Sequence, residues 1–286
     1  MILVTGLTGM LGNYVKRELD NQKINYTHLS RKELDISNIQ SVNAALKGKK
    51  FSHFIHLAAE TDVDLCESNP AHAYICNYYT PKLIAQHCNE IGAKLIFIST
   101  SGVFGNQDKI HYCELDTPSP LSQYGKTKYM AEQAIQLLCK NHLIIRASWM
   151  IGGGEKLDNK FVGKIIAKLK SGTSSLNAVC DKIGSVTSGK HLAKFIINSL
   201  DTSFTGIKHI ASYDFCSRYE IAKLITSKIK PSCEVFPSTS SLFPLPAPRS
   251  LSEALYSVVP QGILPTEEIS WSTILLNYIT EEFDVI

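Results

Sequence analysis

The sequence lacks the features that would place it in a membrane or on a nucleic acid. No apolar stretch approaches the roughly 20 residues that a membrane span requires. The N-terminal apolar run is too short for a secretory signal peptide, and we expect it to form a strand. The net charge is only +3 and the basic residues are scattered, so no cationic surface for nucleic acid is expected. We therefore expect a cytoplasmic protein without a membrane or nucleic-acid partner.

The sequence also lacks closely spaced cysteine pairs and the cysteine and histidine spacings that are typical of zinc sites. None of the eight cysteines forms a C-x-x-C pair or stands at zinc spacing with a histidine, so reduced thiols are expected. His53 and His56 alternate with apolar residues, which favours packed or hydrogen-bonded histidines, and no metal site is predicted. The acidic run of Asp62, Asp64 and Glu67 is expected to be a solvated loop, with an oligomer or metal contact as the alternative. The sequence leaves a homodimer open.

The first half of the chain alternates short apolar runs with helical patterns. Continuous apolar runs such as KLIFIS indicate strands buried on both faces, and the helices between them indicate right-handed β-α-β units. Strands are predicted at 2–4, 24–29, 51–59, 94–99 and 143–147, and helices at 12–21, 39–46, 70–91 and 122–139. The sequence thus predicts an α/β fold with a Rossmann-type, doubly wound parallel sheet.

In the second half the regular alternation of strands and helices gives way to glycine-rich and proline-rich segments, which predicts a smaller lobe. After the Gly152-Gly153-Gly154 loop, helices are predicted at 161–169, 190–200 and 219–229, and a short strand at 207–211. The proline-rich segment 231–248 predicts extended, irregular chain. We expect a dinucleotide-binding domain of residues 1–150 plus roughly 184–212, and a C-terminal substrate-binding lobe of residues 151–183 plus 213–286.

The opening segment MILVTGLTGMLG is the most informative part of the chain. An apolar run leads directly into Gly6, Gly9 and Gly12. Strand, glycine turn and helix start together build a phosphate cradle, because glycine allows close backbone approach and the helix N-terminus supplies N–H donors. The spacing is G-x-x-G-x-x-G, and the alternative is a glycine-rich turn without a ligand.

A second constellation follows the strand predicted at 94–99. Thr100 stands at its end, and Tyr124 and Lys128, four residues apart, share one face of the next long helix. A lysine beside a tyrosine favours the phenolate, so we expect a lowered pKa for Tyr124. In a reductase the tyrosine would donate a proton to a carbonyl oxygen while hydride reaches the carbon. A surface accident is the alternative for Tyr124 and Lys128 taken alone.

The end of the second strand bears on cofactor choice. NAD-binding enzymes usually place an acid there for the ribose diol. Here Ser30, Arg31 and Lys32 follow the strand, and a hydroxyl with two cations suits a 2′-phosphate. The sequence therefore favours NADP(H), with NAD(H) as the alternative; a solvated basic turn would explain the same residues without a ligand.

Several segments spread along the chain carry a family pattern. They are VTGLTGMLG, LDISN, HLAAETDVDLCESNPAHAYICN, STSGVFG, SQYGKTK, IIRASWMIG, DKIGSVTS and PAPRSLSEAL. With them the chain resembles the extended short-chain dehydrogenase/reductase superfamily, and within it the dTDP-4-dehydrorhamnose reductase branch. The resemblance implies an oxidoreductase that reduces the 4-keto group of a nucleotide-activated 6-deoxy sugar for polysaccharide biosynthesis or glycosylation.

The resemblance also implies roles for individual residues. The catalytic residues would be Thr100, Tyr124 and Lys128. The cofactor contacts would be Gly6, Gly9, Met10, Leu11, Gly12, Ser30, Arg31, Asp35, Ile36, Ala58, Ala59, Thr61, Asn77, Tyr124 and Lys128. The substrate contacts would be Trp149, Asn159, Phe161 and Arg249, the last because an arginine fork suits a diphosphate.

Two departures and two alternatives accompany this interpretation. The branch commonly has Asp-Tyr after the threonine, whereas Ser101 and Gly102 stand here, so smaller side chains are expected beside the sugar. One alternative is a nucleotide-sugar epimerase or dehydratase, although dehydratases usually carry Asp-Glu at these positions. The other is a non-catalytic, cofactor-binding regulatory subunit, since the β subunit of methionine adenosyltransferase resembles the same branch. Val186 replaces an expected proline in the later D-x-x-G-x-P-T run.

Overall fold

A six-stranded parallel sheet forms the centre of the protein, in a computed structural model that describes residues 1–107, 109–260 and 267–284. Its strands are β1 (Ile2–Thr5), β2 (Tyr26–Leu29), β3 (His53–His56), β4 (Lys94–Thr100), β6 (His142–Ala147) and β11 (Gly206–Ile210). Their spatial order is β11-β6-β4-β3-β1-β2. The chain runs from β1 out to β2 and returns to β3 on the other side of β1, so the order reverses between β1 and β3. Open α/β sheets bind ligands at such a reversal, beyond the carboxyl ends of the strands.

Helices cover both faces of this sheet. They are α1 (Met10–Asn21), α2 (Ile39–Leu46), α5 (Thr80–Ile91), α6 (Gln123–Leu138) and α9 (Gly189–Asn198). On one face α1 and α9 pack through residues such as Val15 and Leu192, and on the other face α2, α5 and α6 pack through Val42, Ile84 and Ile135. Two apolar cores flanking one parallel sheet confirm the predicted doubly wound fold.

Later segments build a separate core and three small sheets. The remaining strands are β5 (His111–Tyr112), β7 (Trp149–Ile151), β8 (Ser175–Val179), β9 (Ile183–Gly184), β10 (Val186–Ser188), β12 (Cys216–Ser217), β13 (Glu234–Ser238) and β14 (Ser252–Leu255). The remaining α-helices are α3 (Val63–Ser68), α4 (Pro70–Tyr74), α7 (Gly154–Leu157), α8 (Phe161–Lys170), α10 (Arg218–Ile229) and α11 (Trp271–Glu282). Ile166 of α8, Ile225 of α10 and Leu275 of α11 lie in this second core. None of the described helices is long and apolar enough to cross a membrane.

The places where the structure differs from the predicted elements include segment 70–91, segment 231–248 and the helix after residue 270. The single helix predicted at 70–91 is interrupted by a π-helical turn, Ile75–Tyr79, between α4 and α5. Segment 231–248 is not irregular throughout, because β13 pairs in parallel with β8; Pro237 is tolerated there because a two-stranded sheet leaves each strand with a free edge. Helix α11 was not predicted, although Ser270 caps it by accepting from the Thr273 backbone N–H.

Two glycines allow α1 to begin directly on the end of β1. Gly6 has a positive φ of 77°, a conformation that side chains rarely adopt. A Cβ on Gly12 would lie 2.1 Å from the Gly6 carbonyl oxygen and 2.5 Å from the Leu7 Cα. Glycine at position 12 is therefore needed for the helix to approach the turn.

This contact yields a stability prediction. Gly12→Ala should lower the free energy of unfolding by roughly 1–3 kcal/mol, because backbone on both sides must shift to admit the methyl group. Urea unfolding followed by circular dichroism measures the loss. Gly9→Ala is the matched control, since a Cβ there meets only the Gly6 oxygen, at 3.4 Å. Equal losses in both variants would contradict the argument.

Candidate active site

A cleft of about 1490 Å³ runs across the carboxyl ends of the parallel strands and is closed on its far side by the later segments. Most of the predicted site residues line it. They are Gly6, Gly9, Met10, Leu11, Gly12, Ser30, Arg31, Asp35, Ile36, Ala58, Ala59, Thr61, Thr100, Tyr124, Lys128, Trp149, Asn159, Phe161 and Arg249. The exception is Asn77. Segments far apart in sequence thus meet because their strands end at one sheet edge.

Asn77 lies behind the cleft wall and supports it. The buried amide accepts from the Glu60 backbone N–H at 3.0 Å and donates to the Glu60 carbonyl oxygen at 3.0 Å. These two bonds hold the loop that follows β3. The structure therefore places Asn77 as a support for cleft-lining residues and not on the cleft surface, where the resemblance implied a cofactor contact.

The glycine turn has the form of a phosphate cradle. A Cβ on Gly6 would lie 2.7 Å from the Ala58 backbone nitrogen, so the β1 turn and the β3 end approach each other closely. Gly9 precedes α1 without a side-chain cap, which leaves the first-turn N–H groups facing the cleft. Such groups and the helix dipole suit an anion. These residues fit the pyrophosphate of a dinucleotide.

The turn after β2 presents a cation to the same cleft. The Glu33 carboxylate accepts from the Ser30 backbone N–H at 2.8 Å and so folds back on the turn. The Arg31 side chain is 84% exposed, with its Nε 3.9 Å from an Asp35 carboxylate oxygen. Hydrogen bonds from Ser37 lower the pKa of Asp35. Ser30 and Arg31 thus stand at the cleft edge with the guanidinium free to turn toward a ligand.

The predicted catalytic groups lie together at the end of β4 and the start of α6. Thr100 Oγ1 accepts from the Gly102 backbone N–H at 3.0 Å, and the Thr100 hydroxyl also hydrogen-bonds Tyr124. One turn further along α6, Lys128 is buried with its Nζ 4.0 Å from the centre of the Phe97 ring. Hydroxyl, phenol and ammonium therefore share one wall of the cleft.

The expected lowering of the Tyr124 pKa is wrong. Burial raises the pKa of Tyr124 above its ordinary value, and the hydrogen bond with Thr100 opposes this only in part. Burial acts on the lysine as well and lowers the pKa of Lys128 to about 7. The physical reason is that desolvation penalises the phenolate of Tyr124 and the ammonium of Lys128, and for each group this is the largest effect on the pKa.

The side of the cleft that carries Trp149 contains two residues that the sequence analysis missed. The Arg218 guanidinium carbon lies 3.9 Å from the Trp149 ring centre and 4.9 Å from the Phe161 ring centre. A Glu253 carboxylate oxygen accepts from Trp149 Nε1 at 2.9 Å and from the Ser101 hydroxyl at 3.2 Å. The capping box at Ser217 marks the start of α10 and hence the place of Arg218, but no local signal brings the arginine to the tryptophan.

The acidic run is not a solvated loop, contrary to the expectation. Asp62 caps α3 by accepting from two backbone N–H groups of its first turn. Asp64 forms an ion pair with Arg249 at 3.0 Å, and Glu67 accepts from the Gln123 backbone N–H at 2.8 Å. The run thus joins the loop after β3 to α6 and to the segment before β14. Arg249, predicted to meet a diphosphate, lines the cleft while paired with Asp64.

A further polar cluster lines the cleft near Asp35. His72 Nε2 lies 3.3 Å from a Glu60 carboxylate oxygen, and Cys76 Sγ lies 3.6 Å from the same nitrogen. Burial raises the pKa of Cys76 to about 11, so the thiol is neutral at physiological pH and is no nucleophile. Within residues 1–107, 109–260 and 267–284, no group of His, Cys, Asp and Glu is arranged to hold a metal ion.

Comparison with known proteins agrees with this geometry. Residues 1–282 match the family described as RmlD substrate binding domain. The Bacillus subtilis "Spore coat polysaccharide biosynthesis protein SpsK" is 32% identical, over 98% of this chain and 97% of its own length. The crystal structure of a dTDP-4-dehydrorhamnose reductase from Yersinia enterocolitica has a TM-score of 0.92 at 41% identity and covers 98% of each chain.

A dTDP-4-dehydrorhamnose reductase from Bacillus anthracis, crystallised in complex with NADP, has a TM-score of 0.88 at 30% identity, again over 98% of each chain. These likenesses span the parallel sheet, the cleft and the later lobe together. The chain belongs to the RmlD substrate binding domain family.

Proposed function

We propose that this protein is an NADPH-dependent reductase of the 4-keto group of a nucleotide-activated 6-deoxy sugar, like dTDP-4-dehydrorhamnose reductase. The observation that carries the proposal is the meeting of Thr100, Tyr124 and Lys128 in the cleft that begins at the glycine turn. The reductases from Yersinia enterocolitica and Bacillus anthracis support the same activity. When bound, the nicotinamide would supply hydride to the carbonyl carbon.

The chain's own residues would handle the proton and the carbonyl oxygen. Because burial raises the pKa of Tyr124, its phenol keeps a proton at neutral pH and has it available to donate. The Thr100 hydroxyl, hydrogen-bonded to Tyr124, would orient the same oxygen. A charged Lys128 would stabilise the phenolate that forms when the proton leaves.

Reduction is favoured over the two alternatives by the residues around Thr100. Ser101 and Gly102 supply no acid where dehydratases usually carry one, and the carboxylate that reaches Ser101, Glu253, also accepts from Trp149. A purely regulatory subunit would not require Thr100, Tyr124 and Lys128 in one cleft. The reductase proposal accounts for all of these positions.

We infer that the sugar nucleotide binds on the cleft side formed by residues 151–183 and 213–286, with residues 1–150 and roughly 184–212 as the cofactor domain. Four cations line or border that side, which suits a diphosphate; they are Lys160, Lys182, Arg218 and Arg249. Lys182 Nζ donates to the Arg249 carbonyl oxygen at 2.9 Å. All eight cysteines are free thiols, which supports a cytoplasmic enzyme; a homodimer stays a prediction.

Removing the phenolic hydroxyl tests the proton donor. Tyr124→Phe should lower the rate of NADPH oxidation with a dTDP-4-keto-6-deoxy sugar by roughly 10²–10⁴-fold, because the proton donor is lost. Absorbance at 340 nm measures turnover, and fluorescence titration should show nearly unchanged NADPH binding. The matched control is Tyr129→Phe, on the same helix but outside the cleft lining. Unchanged turnover in Tyr124→Phe would refute the assignment.

Cofactor choice is tested at the β2 turn. Arg31→Ala should weaken NADPH binding by roughly 10-fold, because a charge-assisted hydrogen bond to the 2′-phosphate is lost, and leave NADH binding nearly unchanged. Kd values for both cofactors, from fluorescence titration, make the comparison. Lys16→Ala, an exposed cation on α1 paired with Asp20, serves as the control. An equal effect on both cofactors would argue against recognition of the 2′-phosphate by Arg31.

A further inference from the structure

A buried carboxylate lies one turn beyond Lys128 on α6. Glu132 is 0% exposed. One carboxylate oxygen accepts from the Ser99 hydroxyl at 2.5 Å and from Arg146 Nε at 3.0 Å, and the other accepts from Arg146 Nη2 at 2.7 Å. The proposed reductase mechanism uses none of these three residues, so their presence in the core needs an explanation.

Glu132 lies on the helix of Tyr124 and Lys128 and is bonded to the strand of Thr100. It follows Lys128 by four residues and Tyr124 by eight, so the three side chains share one face of α6. Its partner Ser99 directly precedes Thr100 in β4. Its other partner, Arg146, is in β6, where residue 146 pairs with residue 99 of β4. One carboxylate therefore connects the helix of Tyr124 and Lys128 to the strand of Thr100.

The stability of the fold does not by itself explain why a Glu132–Arg146 ion pair is buried here. The desolvation cost of a buried ion pair largely cancels its attraction, and apolar residues of similar size often serve as well. The Glu132 carboxylate can, however, stabilise a neighbouring cation strongly, because charges interact strongly where water is excluded. Lys128 is that cation: it is 2% exposed and forms no ion pair or hydrogen bond with any described residue.

Building on the reductase function proposed above, we propose that Glu132 is a positioning residue whose buried carboxylate, clamped by Ser99 and Arg146, keeps Lys128 in its charged form. Lys128 would then remain an ammonium able to stabilise the Tyr124 phenolate. Burial lowers the pKa of Lys128 to about 7, and Glu132 is the foremost group that opposes this.

Of the described titratable groups around this cluster, Glu132 is the carboxylate that raises the pKa of Lys128. Those facing Lys128 and Tyr124 are His56, Cys66, Glu60 and Glu253, and those beyond Glu132 are Arg146, His209 and Glu114. Burial lowers the pKa of His56 to about 3 and raises that of Cys66 to about 12, so both are neutral between pH 6 and 9. Burial lowers the pKa of His209, and the nearby Arg146 lowers it further. Among the groups of this cluster whose pKa is perturbed, Lys128, at about 7, lies in that range.

The test measures the titration of Lys128 directly. In protein labelled at lysine ¹³Cε, with the Lys128 signal assigned through Lys128→Arg, Glu132→Gln should lower the pKa of Lys128 by about 1 pH unit or more. Because activity requires the ammonium, the alkaline limb of the kcat profile should move to lower pH by the same amount. Glu132→Asp, which keeps the charge, should restore most of both shifts.

Controls separate this inference from a loss of structure. Glu132→Gln leaves Arg146 buried without a counter-ion, so if that variant does not fold, the double variant Glu132→Gln/Arg146→Met is compared with Arg146→Met, and the difference isolates the charge of Glu132. Glu114→Gln removes the partly buried carboxylate on the far side of His209, which accepts from the His209 backbone N–H at 2.8 Å, and should leave the Lys128 titration unchanged.

The outcomes also separate this inference from the proposed function. A folded Glu132→Gln variant in which Lys128 titrates as in the wild type, or a double variant in which it titrates as in Arg146→Met, would overturn the role of Glu132. Absence of turnover with every sugar nucleotide would overturn the reductase proposal and leave the NMR titration as a valid test of the charge coupling.

Discussion

The parallel alignment of β1, β3, β4 and β6 is the constraint on which the site depends. Thr5 pairs with His56, His56 with Phe97, and Thr100 with Ala147, so these strands end at one edge. The glycine turn follows β1, a cleft-lining loop follows β3, Thr100 ends β4, and Ser148 and Trp149 follow β6. Residues separated by more than a hundred positions meet in one cleft because parallel strands in this register place their carboxyl ends at the same edge of the sheet.

A second set of contacts joins the later lobe to this sheet. Asp64 and Arg249 pair across 185 residues of sequence, and Glu253 accepts hydrogen bonds from Ser101 after β4 and from Trp149 in β7. Arg218 lies against two aromatic rings on the same side. These contacts hold the Trp149 side of the cleft against the side that carries Thr100, Tyr124 and Lys128. The cleft therefore has two charged and aromatic sides whose spacing is set by long-range pairs.

The features that could be predicted from the sequence are those with a local signal. The glycine turn, the Tyr124–Lys128 spacing and the buried parallel strands each occupy a short window with a recognisable period or composition. Helix α2 is observed with the predicted bounds, Ile39–Leu46. Long-range contacts leave no such trace: nothing near Asp64 indicates Arg249, and β13 exists only because β8 lies beside it. The prediction of a lowered pKa for Tyr124 was wrong for the same reason, because the burial of a side chain depends on the whole fold.

Burial has opposite consequences for Tyr124 and Lys128, the two titratable groups of the proposed catalytic set. For Tyr124 it favours the neutral phenol, which is the form that donates a proton. For Lys128 it favours the neutral amine, which is the form that cannot stabilise a phenolate. A dry site that suits the tyrosine thus needs a fixed negative charge near the lysine, placed where it does not compete for the tyrosine's proton. Glu132 meets both conditions, because Ser99 and Arg146 occupy its oxygens and it lies two helical turns from Tyr124.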